Sequence, residues 1–427
     1  MTDWFCNINN ISGTEDGTSE ATGWTDITQS RPGVNGVTGG DTIWIKAGDG
    51  GATYGLVGSN IYWSMGTALI NSSAPAYNKD IIQVIGYAGA TSDPPPMGDE
   101  RPHIFLGRTN GGSFFITAGC HSKHLRFSSD AYDGNNNQIG HLSIETGYAQ
   151  NISMIRNDDA TVGDRAHAAR ILYGSTVIGC EFEDRVSDTN WPIRDLGYDA
   201  NFDLFDLNEV TGCVFKQKTT SYMARQRSTF GSVIFKDCIF IGDGTCLGFC
   251  DMDYGSFTTN AMSTYRFVRC IFYNMGKGFE VEAPNGVGNN DTEGEWQNSY
   301  DKISFRQCIF ENCGTGVDVP AYSAPVGWAS GTFSMQHIVN VSDCIFANNT
   351  TANYSGDMNV VNPILLSGTA FIDAPNGDFR LNDIAGQGRL IKERLPNFEM
   401  NNIFVNGKFN PRPNQAFIPR REIARSL

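Results

Sequence analysis

The chain has 427 residues, of which 18% are charged, with 48 glycines and a formal net charge of −15. No uncharged run approaches the roughly 18 apolar residues of a membrane-spanning helix, so no membrane partner is expected. The charge is uneven: residues 387–427 hold 8 Lys/Arg against 3 Asp/Glu, a local +5, whereas the rest holds 23 against 43, or −20. An acidic body repels phosphates, which argues against a nucleic-acid partner.

In chain order, residues 1–50 read as an N-terminal cap and first strand, with Gly40-Asp-Thr-Ile-Trp-Ile-Lys-Ala-Gly48 as the strand phrase. The start, Met-Thr-Asp-Trp-Phe-Cys, has no basic and then apolar signal pattern, so export is not expected. From Ile81 onward, strand-like cores recur around Ile82, Ile104, Leu125, Ile152 and Ile178, at spacings of 22, 21, 27 and 26 residues. Pro94–Pro96 and Asp133–Asn137 fall between them, where turn-forming residues belong.

From Val177 to Asn349 one phrase is written six times: Cys180-Glu-Phe182, Cys213-Val-Phe215, Cys238-Ile-Phe240, Cys270-Ile-Phe272, Cys308-Ile-Phe310 and Cys344-Ile-Phe346. Cys and Phe are two residues apart in an alternating phrase, so they share one face of a strand. The Cys-to-Cys intervals of 33, 25, 32, 38 and 36 residues are elastic, as in a coiled array whose loops vary while its stacked rungs do not. Residues 51–385 are therefore read as an all-β, right-handed parallel β-helix of about ten coils, with equivalent residues about 4.8 Å apart. The cysteines are packing residues rather than metal ligands, since a free Cys behaves as a small buried hydrophobe. Eleven cysteines, an odd number, suit folding in a reducing cytoplasm better than a disulfide framework.

The opening phrase up to Gly48, with Tyr54 beyond it, resembles the start of pectate-lyase-like β-helix proteins. Ala370-Phe-Ile-Asp-Ala-Pro-Asn-Gly-Asp378-Phe-Arg-Leu is similar to a closing segment of such proteins. The resemblance implies a fold rather than an activity. Beyond it, residues 386–427 carry Pro396, Pro411, Pro413 and Pro419 and the basic excess, and read as an extended C-terminal arm. Arg412, Arg420, Arg421 and Arg425 are its candidate docking residues.

Candidate chemistry lies in three neighbouring turns, Gly248-Phe-Cys-Asp251, Gly278-Phe-Glu280-Val-Glu282 and Gly316-Val-Asp318. Glu280 and Asp318 each follow a ladder cysteine by ten residues and should stack as a carboxylate column. Like charges in adjacent rungs repel, so a Lys/Arg neighbour or a Ca²⁺ ion must hold the column. Paired carboxylates can also cleave glycosidic bonds, so Asp251, Glu280, Glu282 and Asp318 are the catalytic candidates; the bland alternative is outward acids that keep the rod soluble. Trp191, Trp296 and Trp328 stand in the long insertions and suit either a partner interface or a sugar ring. Cys120-His121-x-x-His124 has too few ligands for zinc, and no metal or cofactor is assigned.

A β-helix with no export pattern and a basic arm fits a bacteriophage virion protein, folded in the host cytoplasm. The expected form is a homotrimeric decoration or spike subunit, docked to capsid or tail proteins and touching host glycans. The alternative is a polysaccharide-degrading tailspike, a lyase or glycoside hydrolase.

Overall fold

The computed structural model describes residues 2–30, 33–57, 61–62, 81–107, 114–116, 120–129, 141–145, 147–156, 167–172, 174–185, 191–194, 207–218, 222–226, 230–252, 262–282, 300–319, 336–383, 387–395, 404–405 and 408–409. Three parallel sheets of twelve, eleven and ten strands run through them. Successive strands visit the three sheets in turn, which is the path of a right-handed parallel β-helix. The twelve-stranded sheet opens with Asp3–Cys6, one rung ahead of Thr42–Lys46. The first strand thus comes earlier than the Gly40–Gly48 phrase suggests.

The Cys–x–Phe phrase spans a corner rather than a strand. The residue before each cysteine has a left-handed backbone: Gly179 (φ 58°), Gly212 (61°), Asp237 (54°), Arg269 (54°), Gln307 (56°) and Asp343 (52°). That bend carries the chain from the twelve-stranded sheet into the eleven-stranded one. A small buried side chain fits inside it, and each thiol lies close to the carbonyl two residues back, as with Cys238 Sγ and Lys236 O at 3.3 Å. Two residues later the phenylalanines stack in register, at centroid distances of 5.3, 5.0, 4.9, 4.7 and 5.3 Å from Phe182 to Phe346. Phe235, Phe267 and Phe305 form a second stack from the twelve-stranded wall, and Phe249 and Phe279 a third from the ten-stranded wall.

Earlier in the chain the same corner recurs at His124 (φ 58°) and Asn151 (φ 51°), so Leu125 and Ile152 precede Cys180 in its column. Ile82 and Ile104 do not belong to that series. Ile82 leads into a strand of the twelve-stranded sheet, and Ile104 lies in the eleven-stranded one. Consecutive apolar peaks there mark neighbouring walls, because a short coil spaces its walls much as a long coil spaces its turns.

The rod interior also holds polar groups. Ser129, Arg156, Asp184 and Gln217 occupy one buried column, with Arg156 Nε 3.3 Å from Asp184 Oδ1.

The residue between Cys and Phe is on the outer face. It reads Glu181, Val214, Ile239, Ile271, Ile309 and Ile345 along successive rungs, and Ile364 continues the row in the next one. The last six are buried, because the C-terminal segment lies over them. That segment is an antiparallel pair, Phe371–Asp373 with Asp378–Leu381, followed by helix α1, Gln387–Arg394. Phe371, Phe379, Ile391 and Leu395 complete the cluster. Two expectations are corrected here. Residues 371–381 are not a coil, and the first part of the 386–427 arm is helical rather than extended. Ile391 and Leu395, one helical turn apart, need the outer isoleucine ladder as a partner.

Candidate functional site

The strand Lys277–Glu282 pairs with Thr315–Val319 so that Glu280 is opposite Asp318 in the next coil. Phe279 and Val317, one residue earlier, are buried, so alternation turns the two acids outward. The repulsion expected of stacked carboxylates is resolved by Lys277. Its ammonium donates to Glu280 in its own strand and lies 2.7 Å from Asp318 Oδ2. Burial alone would lower the Lys277 pKa, but bonds to Asp318 and Glu280 outweigh it and raise the group above its ordinary value. The column is therefore an ion-pair clamp across two coils.

Lys277 carries a signal that reading by carboxylates alone misses: it stands three residues before Glu280, next to the Gly278-Phe279 pair. A Lys or Arg neighbour is what the column requires, and Lys277 supplies it. A clamp of this kind holds both acids as acceptors, whereas glycoside cleavage requires one of them as a proton donor.

Asp251 does not join the column. Its strand Gly248–Met252 is offset by an irregularity, so that Phe249 is opposite Phe279, Cys250 opposite Glu280 and Asp251 opposite Val281. Asp251 stands two residues from its phenylalanine, Glu280 only one. Glu282 ends its strand in register with Met252. Trp191 opens the strand Trp191–Arg194 beside His167. Trp296, Trp328, Arg412, Arg420, Arg421 and Arg425 lie outside the described residues. On the twelve-stranded wall, Glu209 accepts a bond from Lys236 Nζ at 2.7 Å.

The other polar clusters are structural. Burial pushes His121 and His124 down to about 4, so both are neutral at pH 7. His124 Nδ1 is 2.9 Å from Asn151 Nδ2, and the His121 ring packs on Tyr148. Among the described residues no group of three or more His, Cys, Asp or Glu could hold a metal ion. Burial also pushes the thiols of Cys6, Cys120, Cys246 and Cys313 up to about 12, which removes them as nucleophiles.

At the C-terminal side, Glu311 is buried on the outer face beneath the covering segment. It accepts a bond from Ala370 N–H at 2.9 Å and another from the Thr369 hydroxyl. Burial raises its pKa, and those two bonds do not reverse the shift.

No protein-family model matches the chain, and no curated protein does. Among solved structures it is similar to pectate lyase Pel9A, with 12% identity, a TM-score of 0.40, and 90% of this chain and 89% of that one covered. It is also similar to a rhamnogalacturonan lyase, with 11% identity, a TM-score of 0.45, and 90% and 97% covered. What the chain has in common with both is a parallel β-helix, and the likeness ends at the fold.

Proposed function

We propose that the chain is a structural rod of a bacteriophage virion, a β-helix decoration or spike subunit seated on the particle through residues 387–427. One observation carries the reading. The outer ladder from Val214 to Ile364 is covered by the chain's own segment up to Leu395, so the basic stretch beyond starts from a fixed point on the flank. A rod with one flank closed in this way presents residues 396–427, which hold 5 Lys/Arg against 2 Asp/Glu, a local +3 against −18 for the rest, suited to an acidic patch on another virion protein. The free, buried cysteines are consistent with folding in a reducing host cytoplasm. Association of three copies through the remaining flanks would complete the subunit, leaving outer faces for host glycans.

The test is an add-back experiment. Particles lacking the protein are mixed with the full chain or with a chain ending after Leu395. The full chain should attach and the shortened one should not. Equal attachment by both would remove the arm from the account.

A further inference from the structure

We infer that copies of this chain associate side by side, the outer face of the twelve-stranded wall of one copy against the outer face of the ten-stranded wall of the next. On the first face stand Arg266, Lys302 and Arg306, all exposed. They belong to Met262–Val268 and Tyr300–Arg306, adjacent rungs whose register sets Lys302 opposite Thr264, Arg266 opposite Ser304 and Arg306 opposite Val268. Tyr265, Phe267, Ile303 and Phe305, which alternate with them, are buried, so the three cations are on the outer face. Lys236 and Arg269 beside them are bonded to Glu209 and Asp237. Among the described residues no acid pairs with Arg266, Lys302 or Arg306. On a chain of formal charge −15 they are a local excess of the opposite sign.

The ten-stranded wall carries the counter-charge at the same height. Met262–Val268 leads through Ile271–Tyr273 to Lys277–Glu282, and Tyr300–Arg306 leads through Ile309–Glu311 to Thr315–Val319. Arg266 therefore shares a coil with Glu280, and Lys302 and Arg306 share the next coil with Asp318. In the clamp one ammonium serves two carboxylates, which leaves a formal −1, and the two acid side chains are 16% and 17% exposed. A carboxylate that accepts from Lys277 keeps further acceptor positions, which a guanidinium fork fits. Two parallel copies set level bring the cations of one to the clamp of the other within about one rung, roughly 4.8 Å. The third wall is closed, because the chain's own C-terminal segment covers its isoleucine ladder. A contact between two different faces is heterologous, and without an axial step it closes into a ring instead of growing as a filament. The inference names the flanks for the three-copy association of the proposed function and rests on that reading for the number of copies; particle attachment plays no part in its test.

Sedimentation of the full chain at low salt should show an oligomer that dissociates as salt is added. R266E/R306E should weaken self-association at least tenfold, since like charges would then face each other. R266K/R306K should stay within a few-fold of the unmodified chain. Adding E280K/D318K to R266E/R306E exchanges the two signs and should restore association. Melting temperatures check that each variant folds. A readout free of that concern is carbodiimide coupling of the unmodified chain, which joins a carboxylate to an amine as an amide with net loss of water. In a mixture of isotope-labelled and unlabelled copies, peptides joining Lys302 of one copy to Glu280 or Asp318 of another are expected. A monomeric chain at low salt, undiminished association of a folded R266E/R306E variant, failure of the sign exchange in a folded chain, or absence of those mixed-isotope peptides would overturn the contact. A monomer that still attaches to particles would overturn this contact alone and leave the particle reading standing.

Discussion

Lys277 bonds two carboxylates from neighbouring coils, Glu280 three residues along its own strand and Asp318 one rung away, at 2.7 Å. Its removal leaves stacked like charges. Lys277→Met should therefore lower stability by on the order of 1 kcal/mol, a modest value because the group is partly exposed and screened. The triple variant K277M/E280Q/D318N should recover most of the loss. Thermal melts at low and high salt check this, and the deficit of the single variant should shrink in salt.

The two ends of the chain should respond to pH in opposite directions. Glu311 has a folded pKa raised by burial. Its contribution is fully present below the unfolded value of about 4.3 and is lost as pH rises through the raised folded value. Asp41 is the reverse case. Burial raises its pKa, but bonds from Trp4 Nε1–H at 3.0 Å, Thr38 N–H at 3.0 Å and Thr2 N–H at 2.7 Å hold it below the ordinary value. Its contribution is present above the unfolded value and lost as pH falls through the folded one. Unfolding free energies of the unmodified chain minus Glu311→Gln should fall between pH 4 and 7. The same difference for Asp41→Asn should fall on acidification below pH 4.

The outer isoleucine ladder depends on its cover. Ile391→Ala should cost about 2–4 kcal/mol, since Ile391 is fully buried among Ile364, Phe371 and Leu395. Ile391→Asp should undock the segment and expose the ladder, read as new binding of an apolar dye and faster amide exchange over residues 364–381. Unchanged exchange would mean that the segment is not held by this cluster.

The buried thiols give a further check. Ten of the eleven cysteines, all but Cys250, are free and buried, so these ten should ignore a thiol reagent until denaturant is added. Within the stack, Phe272 lies 4.9 Å from Phe240 and 4.7 Å from Phe310, and Phe272→Ala should cost about 3–5 kcal/mol by opening a cavity between them.

The rod was legible in the sequence because its repeat is chemical. Cys and Phe recur at the corner and on the wall whatever the loop between them does. The position between them was also informative. It changes from Glu181 to Val214 and then to isoleucine at 239, 271, 309 and 345, where an exposed strand face would be polar. That change marks the stretch that the C-terminal segment covers, yet it shows no period that a single-strand reading could use. The column of Glu280 and Asp318 was legible from their common distance to a cysteine. The offset of Asp251 was not, because an irregularity beside Gly248 shifts the register.

The central claim is that this wound rod is seated on a larger particle through its C-terminal arm. Electron cryomicroscopy of the native assembly tests it most directly. The account predicts density for residues 396–427 against a different virion chain, with the rod's own segment up to Leu395 still over the isoleucine ladder. An assembly in which those residues touch no neighbour, or a chain found free of any particle and releasing oligosaccharides from host polysaccharide, would contradict it.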